Sequence, residues 1–235
     1  DVDMSIDESS QYLSGLLLAS PLALQPTRIA LTGRKAVSWP YVGLTLQVLE
    51  DFGIDFSVEE KENDLWKNVP WRSVTEARPG HLRITVQPGS YRCGEYHVEG
   101  DWSGASYLLA AGAVGREPVL VTGLRADSLQ GDRAILDILR NMGASVDIRS
   151  DGILVSPSPL HGITVDMGDC PDLVPTVAML AAFASGDTHI TNIAHLRIKE
   201  CDRLSACAAI LGLIGVSTEE GADALTIHGL FPQVP

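Results

Sequence analysis

Residues 119–158 read VLVTGLRADSLQGDRAILDILRNMGASVDIRSDGILVSPS. The stretch opens on a β-branched run, VLVTGL, then passes through a loop into DRAILDILRNMG. In that segment Ile135, Ile138, Leu139 and Met142 recur at helical spacing. Gly143 stops the helix, because glycine permits the left-handed turn into a following strand. ASVDI, a turn and GILVS then read as two more strands. The order is therefore strand, helix, strand, turn, strand.

The same order recurs on both sides. Downstream stand THITNI (188–193), DRLSACAAILGLIGVSTE (202–219) and ALTIHG (224–229). Upstream stand TRIALTG (27–33), YVGLTLQVLEDFGIDFSV (41–58) and LRITVQP (82–88). An apolar helix rich in small residues precedes each unit: SSQYLSGLLLASPLAL (9–24), SGASYLLAAGAVG (103–115) and LVPTVAMLAAFASG (173–186). Gly53, Gly143 and Gly215 mark the three helix ends. The surplus of the first copy lies at residues 59–81, a polar insertion between its last two strands in which Trp66 and Trp71 read as local packing. The chain is thus expected to be α/β, with three copies of one unit that bury their sheet faces by packing on neighbouring copies. A boundary is expected near residues 92–97, dividing residues 1–95 from 96–235.

Composition narrows the function classes. The 235 residues are 45% hydrophobic and 20% charged, which is globular rather than disordered, and the formal net charge is −13. So acidic a chain is not expected to bind nucleic acid or an anionic membrane through its general field. If its ligands are anions, the positive charge must be local. No apolar stretch is long enough to span a bilayer, the longest being residues 12–24 with Pro21 inside. Cys93, Cys170, Cys201 and Cys207 form no C-x-x-C pair or zinc spacing, so free thiols in a reducing compartment are expected. The chain opens on Asp1 and ends on Val234-Pro235, and both ends read as cut. Neither a Walker loop nor a G-x-G-x-x-G fingerprint is present.

Four short motifs can carry chemistry. Ser9-Ser10-Gln11 precedes a helix, where hydroxyls and free N–H groups suit a phosphate or carboxylate. Ser38-Trp39-Pro40-Tyr41 also opens a helix, with Pro40 in its first turn. Cys170-Pro171-Asp172 places a carboxylate ahead of a third helix, able to take a proton from a substrate hydroxyl. Arg197-Ile198-Lys199-Glu200-Cys201-Asp202-Arg203 is the densest. If a helix starts there, Lys199 and Arg203 lie at i and i+4 and can hold an anion, with Glu200 beside Lys199 as a proton-transfer pair. Taken alone, each of these reads more readily as a helix cap or a solvated helix start than as a site, and Asp127 to Asp132 (DSLQGD) reads as loop and cap.

In sequence the motifs say more. SSQYLSGLLLASPLA, SWPY, VEGDWSGASYLLAAGA, DSLQGD, CPDLVPTVAMLAAFA and RIKECDRL, in this order, resemble the EPSP synthase (3-phosphoshikimate 1-carboxyvinyltransferase) family of enolpyruvyl transferases. The resemblance runs over almost the whole chain. It implies a two-lobed fold of βαβαββ units, three to each lobe. The chain would hold the last unit of one lobe and two of the other. It implies transfer of the enolpyruvyl group of phosphoenolpyruvate to the 5-hydroxyl of shikimate 3-phosphate, with release of phosphate, in aromatic amino-acid biosynthesis. It implies no metal or organic cofactor, a cytoplasmic location and a monomeric full-length enzyme.

By matched position, Ser9, Ser10, Gln11, Ser38 and Tyr41 would hold shikimate 3-phosphate. Asp172 would bind its ring hydroxyls and act as base. Lys199 would contact it and shuttle a proton, with Glu200 as the protonating acid. Arg203 would bind phosphoenolpyruvate, and His195 stands where the family often has a ligand-contacting residue. Trp39 replaces a basic residue of that family, so one positive charge is missing, and Ile6 and Asp7 replace Gly-Ser. The family's N-terminal Lys motif, its Gly-Asn-Ala-Gly-Thr loop and its C-terminal Asp-His-Arg and Lys elements do not occur among these residues. The chain alone is accordingly expected not to turn over. A UDP-N-acetylglucosamine enolpyruvyl transferase and a non-catalytic anion-binding remnant stay open as alternatives.

Overall fold

Alternation decides the first sheet. In the segment LRITV, Leu82, Ile84 and Val86 are buried while Arg83 and Thr85 stay at the surface. Ile84 lies opposite both Ile29 and Val58, so three apolar side chains meet across neighbouring strands. The computed structural model describes residues 1–92 and 94–230, so Cys93 and the Val234-Pro235 end lie outside the described residues. Two compact units emerge, residues 1–97 and residues 98–235.

The first unit runs β1 (Val2–Ser5), α1 (Gln11–Ala19), β2 (Thr27–Thr32), α2 (Trp39–Asp51), β3 (Phe56–Glu62), β4 (Leu65–Val69) and β5 (Leu82–Val86). The strand order is β1-β2-β5-β3-β4. β1 and β2 are parallel, with Ser5 opposite Thr32, and the other pairings are antiparallel. Leu13 and Leu17 of α1 and Leu46 and Leu49 of α2 pack with Ile29 and Ile84 in one core. The segment read as an insertion is partly sheet. Residues 59–62 extend β3, and a hairpin turn at Asn63 and Asp64, with φ of 50° and 62°, leads into β4. Trp66 and Trp71 pack locally, as expected. The Arg83 guanidinium lies 4.3 Å from the Trp66 ring and is held by Glu59 at 2.6 and 2.8 Å.

The second unit runs α3 (Trp102–Val114), β6 (Val119–Val121), α4 (Ile135–Asn141), β7 (Ser145–Ile148), β8 (Ile153–Ser156), β9 (Thr164–Asp166), α5 (Val174–Ala182), β10 (Asp187–Thr191), α6 (Arg203–Leu213), β11 (Ser217–Glu220) and β12 (Ala224–His228). Its sheets are ordered β6-β8-β7 and β11-β12-β10-β9. β9 and β10 are parallel. Trp102, Leu109, Leu139, Leu180, Leu204 and Leu225 share its core.

The repeat is visible in the topology. Read from the parallel pair, β1-β2-β5-β3 and β9-β10-β12-β11 are the same arrangement. The three helix ends coincide too. Gly53, Gly143 and Gly215 have φ of 71°, 94° and 83°. In each case the residue after the glycine donates its N–H to a carbonyl five residues back: Ile54 to Leu49, Ala144 to Leu139 and Val216 to Leu211. The middle copy departs from the expectation of three equal units. Among the described residues its first strand is missing, so β6-β8-β7 matches only the last three strands of the unit. The segment ahead of α3 carries Pro88, Gly89, Gly94 and Gly100, which disfavour a strand.

Candidate functional site

Two places bring the motif residues together, one in each unit. In the first unit the parallel pair β1/β2 sends two loops off the same edge of the sheet, residues 6–10 into α1 and residues 33–38 into α2. The Asp7 carboxylate joins them. It accepts the backbone N–H of Arg34 at 2.9 Å and of Lys35 at 3.1 Å, and the Val37 N–H reaches the Ile6 carbonyl at 3.3 Å. Asp7, which stands in place of a serine in the resembled family, therefore has a structural role of its own. Gly33 has φ of 103°, and a Cβ there would lie 2.3 Å from Asp7 Oδ1 and 2.6 Å from Ser5 Oγ.

The helix starts differ from simple caps. Ser10 is buried at the α1 N-terminus in helical conformation and does not cap it; Ser9 Oγ accepts the Gln11 N–H at 3.2 Å instead. Gln11 is exposed. Ser38 is held in the left-handed region, φ 54° and ψ 38°, while being 6% exposed. Strain of this kind in a non-glycine residue costs about 1–3 kcal/mol and gathers at functional sites. Tyr41 is half-buried in the first turn of α2. Trp39 turns inward and donates its indole N–H to the Val74 carbonyl at 2.8 Å, so its side chain belongs to the core.

Asp7 makes a pH-dependent contribution. The Lys35 N–H, with further help from the Arg34 N–H, the Ser5 hydroxyl and the Arg34 charge, holds its carboxyl below the usual 3.8, against the opposing effect of burial. A depressed folded-state pKa stabilises at pH above the unfolded value and is lost as pH falls through the folded one. Asp7→Asn is expected to flatten the acid limb of unfolding below about pH 4, where the unfolded Asp titrates. Urea denaturation of both proteins at pH 3 and pH 6 reads this directly.

In the second unit a groove of about 450 Å³ is lined by Ser103 and Tyr107 of α3, Asp172 and Pro175, and Glu200, Arg203, Cys207 and Ile210. Arg203 is its organiser. Nη1 bonds Asp172 at 2.6 Å, and Nε and Nη2 grip Glu200 at 2.7 and 2.9 Å. The bond to Glu200, followed by that to Asp172, pushes the guanidinium pKa further up, so it stays charged at any working pH. The same Arg203 bond holds the Glu200 carboxyl below its ordinary 4.5. Asp172 sits in the turn Pro171–Leu173 ahead of α5. Burial pushes the neighbouring Cys170 thiol up to about 12, which removes it as a nucleophile.

Three expectations are corrected. The α6 helix begins at Arg203 with Asp202 as its cap, so Lys199 and Arg203 are not an i, i+4 pair. Asp202 accepts the Ser205 N–H at 3.1 Å, and this side chain–backbone bond stops the helix from starting earlier. Lys199 stands before it in extended backbone, φ −73° and ψ −159°, closing the turn Ala194–Ile198. Glu200 is paired with Arg203 rather than with Lys199, because the first turn of α6 brings the guanidinium fork onto the carboxylate. His195 is 3% exposed and is enclosed by protein instead of lining the groove, since Leu196 and Ile193 on either side are core residues.

The structure also assigns residues that sequence reading left without a role. Arg197 bonds Asp202 and Glu220, both at 2.8 Å, and the Ala222 and Gly221 carbonyls, tying the motif to the β11–β12 turn. Ser103 and Tyr107 line the groove from α3, whose N-terminus Asp101 caps through the Ser103 and Gly104 N–H groups. Their signal was the apolar helix itself: Tyr107 is an exposed aromatic within it. Among the described residues, no three His, Cys, Asp or Glu side chains come together in a way that would hold a metal ion. No described helix is long and apolar enough to cross a membrane.

Comparisons with known proteins bear on the family and the fold. The family model described as EPSP synthase (3-phosphoshikimate 1-carboxyvinyltransferase) matches residues 72–234. Among curated relatives named 3-phosphoshikimate 1-carboxyvinyltransferase, the protein of Methanococcoides burtonii is 44% identical over 97% of this chain and 49% of its own length. That of Natronomonas pharaonis is 42% identical over 95% of this chain and 50% of its own length. The chain thus spans about half the length of the curated relatives it matches. In structure it is similar to EPSP synthase from Acinetobacter baumannii, with a TM-score of 0.69 at 23% identity over 97% of this chain and 48% of that one. It is also similar to the enolpyruvyl transferase NikO from Streptomyces tendae, with a TM-score of 0.65 at 19% identity over 97% of this chain and 51% of that one.

Proposed function

Because the chain belongs to the EPSP synthase family, we propose that its native polypeptide transfers the enolpyruvyl group of phosphoenolpyruvate to the 5-hydroxyl of shikimate 3-phosphate and releases phosphate. On this reading residues 1–95 form the last repeat of one lobe and residues 96–235 two repeats of the second. The enzyme is cytoplasmic and monomeric and works on free metabolites, without nucleic acid or membrane. The observation that carries the reading is one guanidinium, Arg203, held between two carboxylates on the wall of a groove. A permanently charged fork suits the carboxylate or phosphate of phosphoenolpyruvate.

The chemistry follows from those partners. Addition joins the acceptor oxygen to C2 of phosphoenolpyruvate and puts a proton on C3. Elimination then takes a proton from C3 as the C2–phosphate bond breaks. Asp172 accepts the hydroxyl proton, Lys199 shuttles protons and Glu200 protonates carbon. While Glu200 is bonded to Arg203 it is ionised and cannot give a proton. An anionic substrate that draws the guanidinium away releases Glu200, and its pKa climbs. We therefore expect the Glu200 carboxyl, held below 4.5 in the free enzyme, to move upward when phosphoenolpyruvate binds. Carboxyl-carbon NMR of the two states measures this, and an unchanged value would remove Glu200 as the acid. In the first unit, Ser9, Ser10, Gln11, Ser38 and Tyr41 hold the phosphorylated acceptor.

The deciding experiment is phosphate release by the native polypeptide with phosphoenolpyruvate and either shikimate 3-phosphate or UDP-N-acetylglucosamine. Turnover with the first acceptor alone is expected. Turnover with the second alone would assign the chain to the other enolpyruvyl transfer. Residues 1–235 by themselves are expected not to turn over.

A further inference from the structure

We propose that Lys35, with Arg34 beside it, supplies the positive charge that holds the phosphate of a phosphorylated acceptor at the β1–β2 edge. The inference rests on the acceptor reading above. It deepens that reading by naming residues outside the Ser-Ser-Gln and Ser-Trp-Pro-Tyr motifs.

The motif residues at this edge are all uncharged. Ser9, Ser10, Gln11, Ser38 and Tyr41 offer hydroxyl and amide groups, and position 39 carries an indole that is 5% exposed and bonded to the Val74 carbonyl. Ser10 and Ser38 are 4% and 6% exposed, yet among the described residues neither side-chain hydroxyl makes a hydrogen bond. Neither hydroxyl is sealed off from solvent, so both stay open to a ligand at an edge that is otherwise packed. Both stand at helix starts on the same edge, where free N–H groups also favour an anion. The motif residues of this edge therefore give a phosphate dianion no counter-charge of their own.

The two loops that leave this edge read IDESS (6–10) and GRKAVS (33–38), so their cations are Arg34 and Lys35. The acids there are Asp7 and Glu8. Asp7 is already committed to the Arg34 and Lys35 N–H groups, and Arg34 Nε stands 3.7 Å from its carboxylate. Arg34 is therefore partly neutralised. Lys35 is exposed and forms no ion pair among the described residues. The Asp7 staple fixes the backbone of Lys35 while leaving its ammonium free to reach over the helix starts.

The test is calorimetric titration of the native polypeptide, at low salt, with shikimate 3-phosphate and with unphosphorylated shikimate. Lys35→Ala is expected to weaken shikimate 3-phosphate about tenfold and leave shikimate unchanged. Arg34→Ala should do less, and the double variant should lose more than Lys35→Ala alone. Lys35→Arg should restore most of the affinity. Both side chains are exposed, so the variants keep the fold, which circular dichroism checks. Unchanged shikimate 3-phosphate affinity in the double variant overturns the inference and leaves the acceptor reading standing. Equal losses for both ligands overturn it as well, because the effect would not concern the phosphate. If the unsubstituted polypeptide binds shikimate 3-phosphate no more tightly than shikimate, the acceptor reading and the inference both fall.

Discussion

On the proposed function, Arg203→Lys in the native polypeptide is expected to lower kcat/KM for phosphoenolpyruvate by about 100-fold or more, although the charge is kept. The reason is geometric. The guanidinium serves Asp172 through Nη1 and Glu200 through Nε and Nη2 at once, with separations of 2.6 to 2.9 Å. An ammonium is a point charge on a flexible stem and cannot span both carboxylates while presenting a planar fork to an anion. Two carboxylates would then face the incoming anion with one poorly placed cation. The side chain is only 25% exposed, so solvent screens this loss incompletely. Steady-state kinetics over a range of phosphoenolpyruvate concentrations measures the effect. A change of less than about fivefold would mean that Arg203 only organises the groove and does not meet the substrate.

Gly33→Ala is expected to have the second large effect, on stability first. The backbone at Gly33 lies at φ 103°, and an added Cβ would sit 2.3 Å from Asp7 Oδ1. Either Asp7 releases the Arg34 and Lys35 N–H groups or the loop changes conformation. Strained dihedrals and overpacking together cost about 2–4 kcal/mol. Guanidinium unfolding should show that loss. The variant should also weaken acceptor binding, because the loop that carries Ser38 is no longer held against the loop that carries Ser9 and Ser10. Removing the clash partner in the pair Gly33→Ala with Asp7→Ala should recover part of the stability and none of the binding. Simple additivity would show that the two residues do not act on each other.

Much of this was legible in the order of the residues. Apolar spacing in DILRNMG and its counterparts placed the helices, and three glycines marked their ends. The motif order pointed to the family, whose model matches residues 72–234. The strand that the middle copy lacks among the described residues was less legible, since the glycines and proline there act by weakening a strand and leave no positive signal. Hairpin β3–β4 was hidden in a polar stretch because β4 is the edge strand of its sheet, where few residues need be apolar.

The sequence by itself determined the repeat, the α/β class, the helix stops and the family. Each of these is encoded in local hydrogen bonding and in a period of burial that recurs along the chain. Tertiary structure alone decided the partners. Arg203 meets Asp172 across 31 residues, Trp39 leaves the edge for the Val74 carbonyl across 35, and Asp7 takes N–H groups 27 and 28 residues on. A charged or polar side chain has no period and can bond in many directions. Which group it finds depends on which strands lie side by side and where each helix begins, and only the folded chain specifies that.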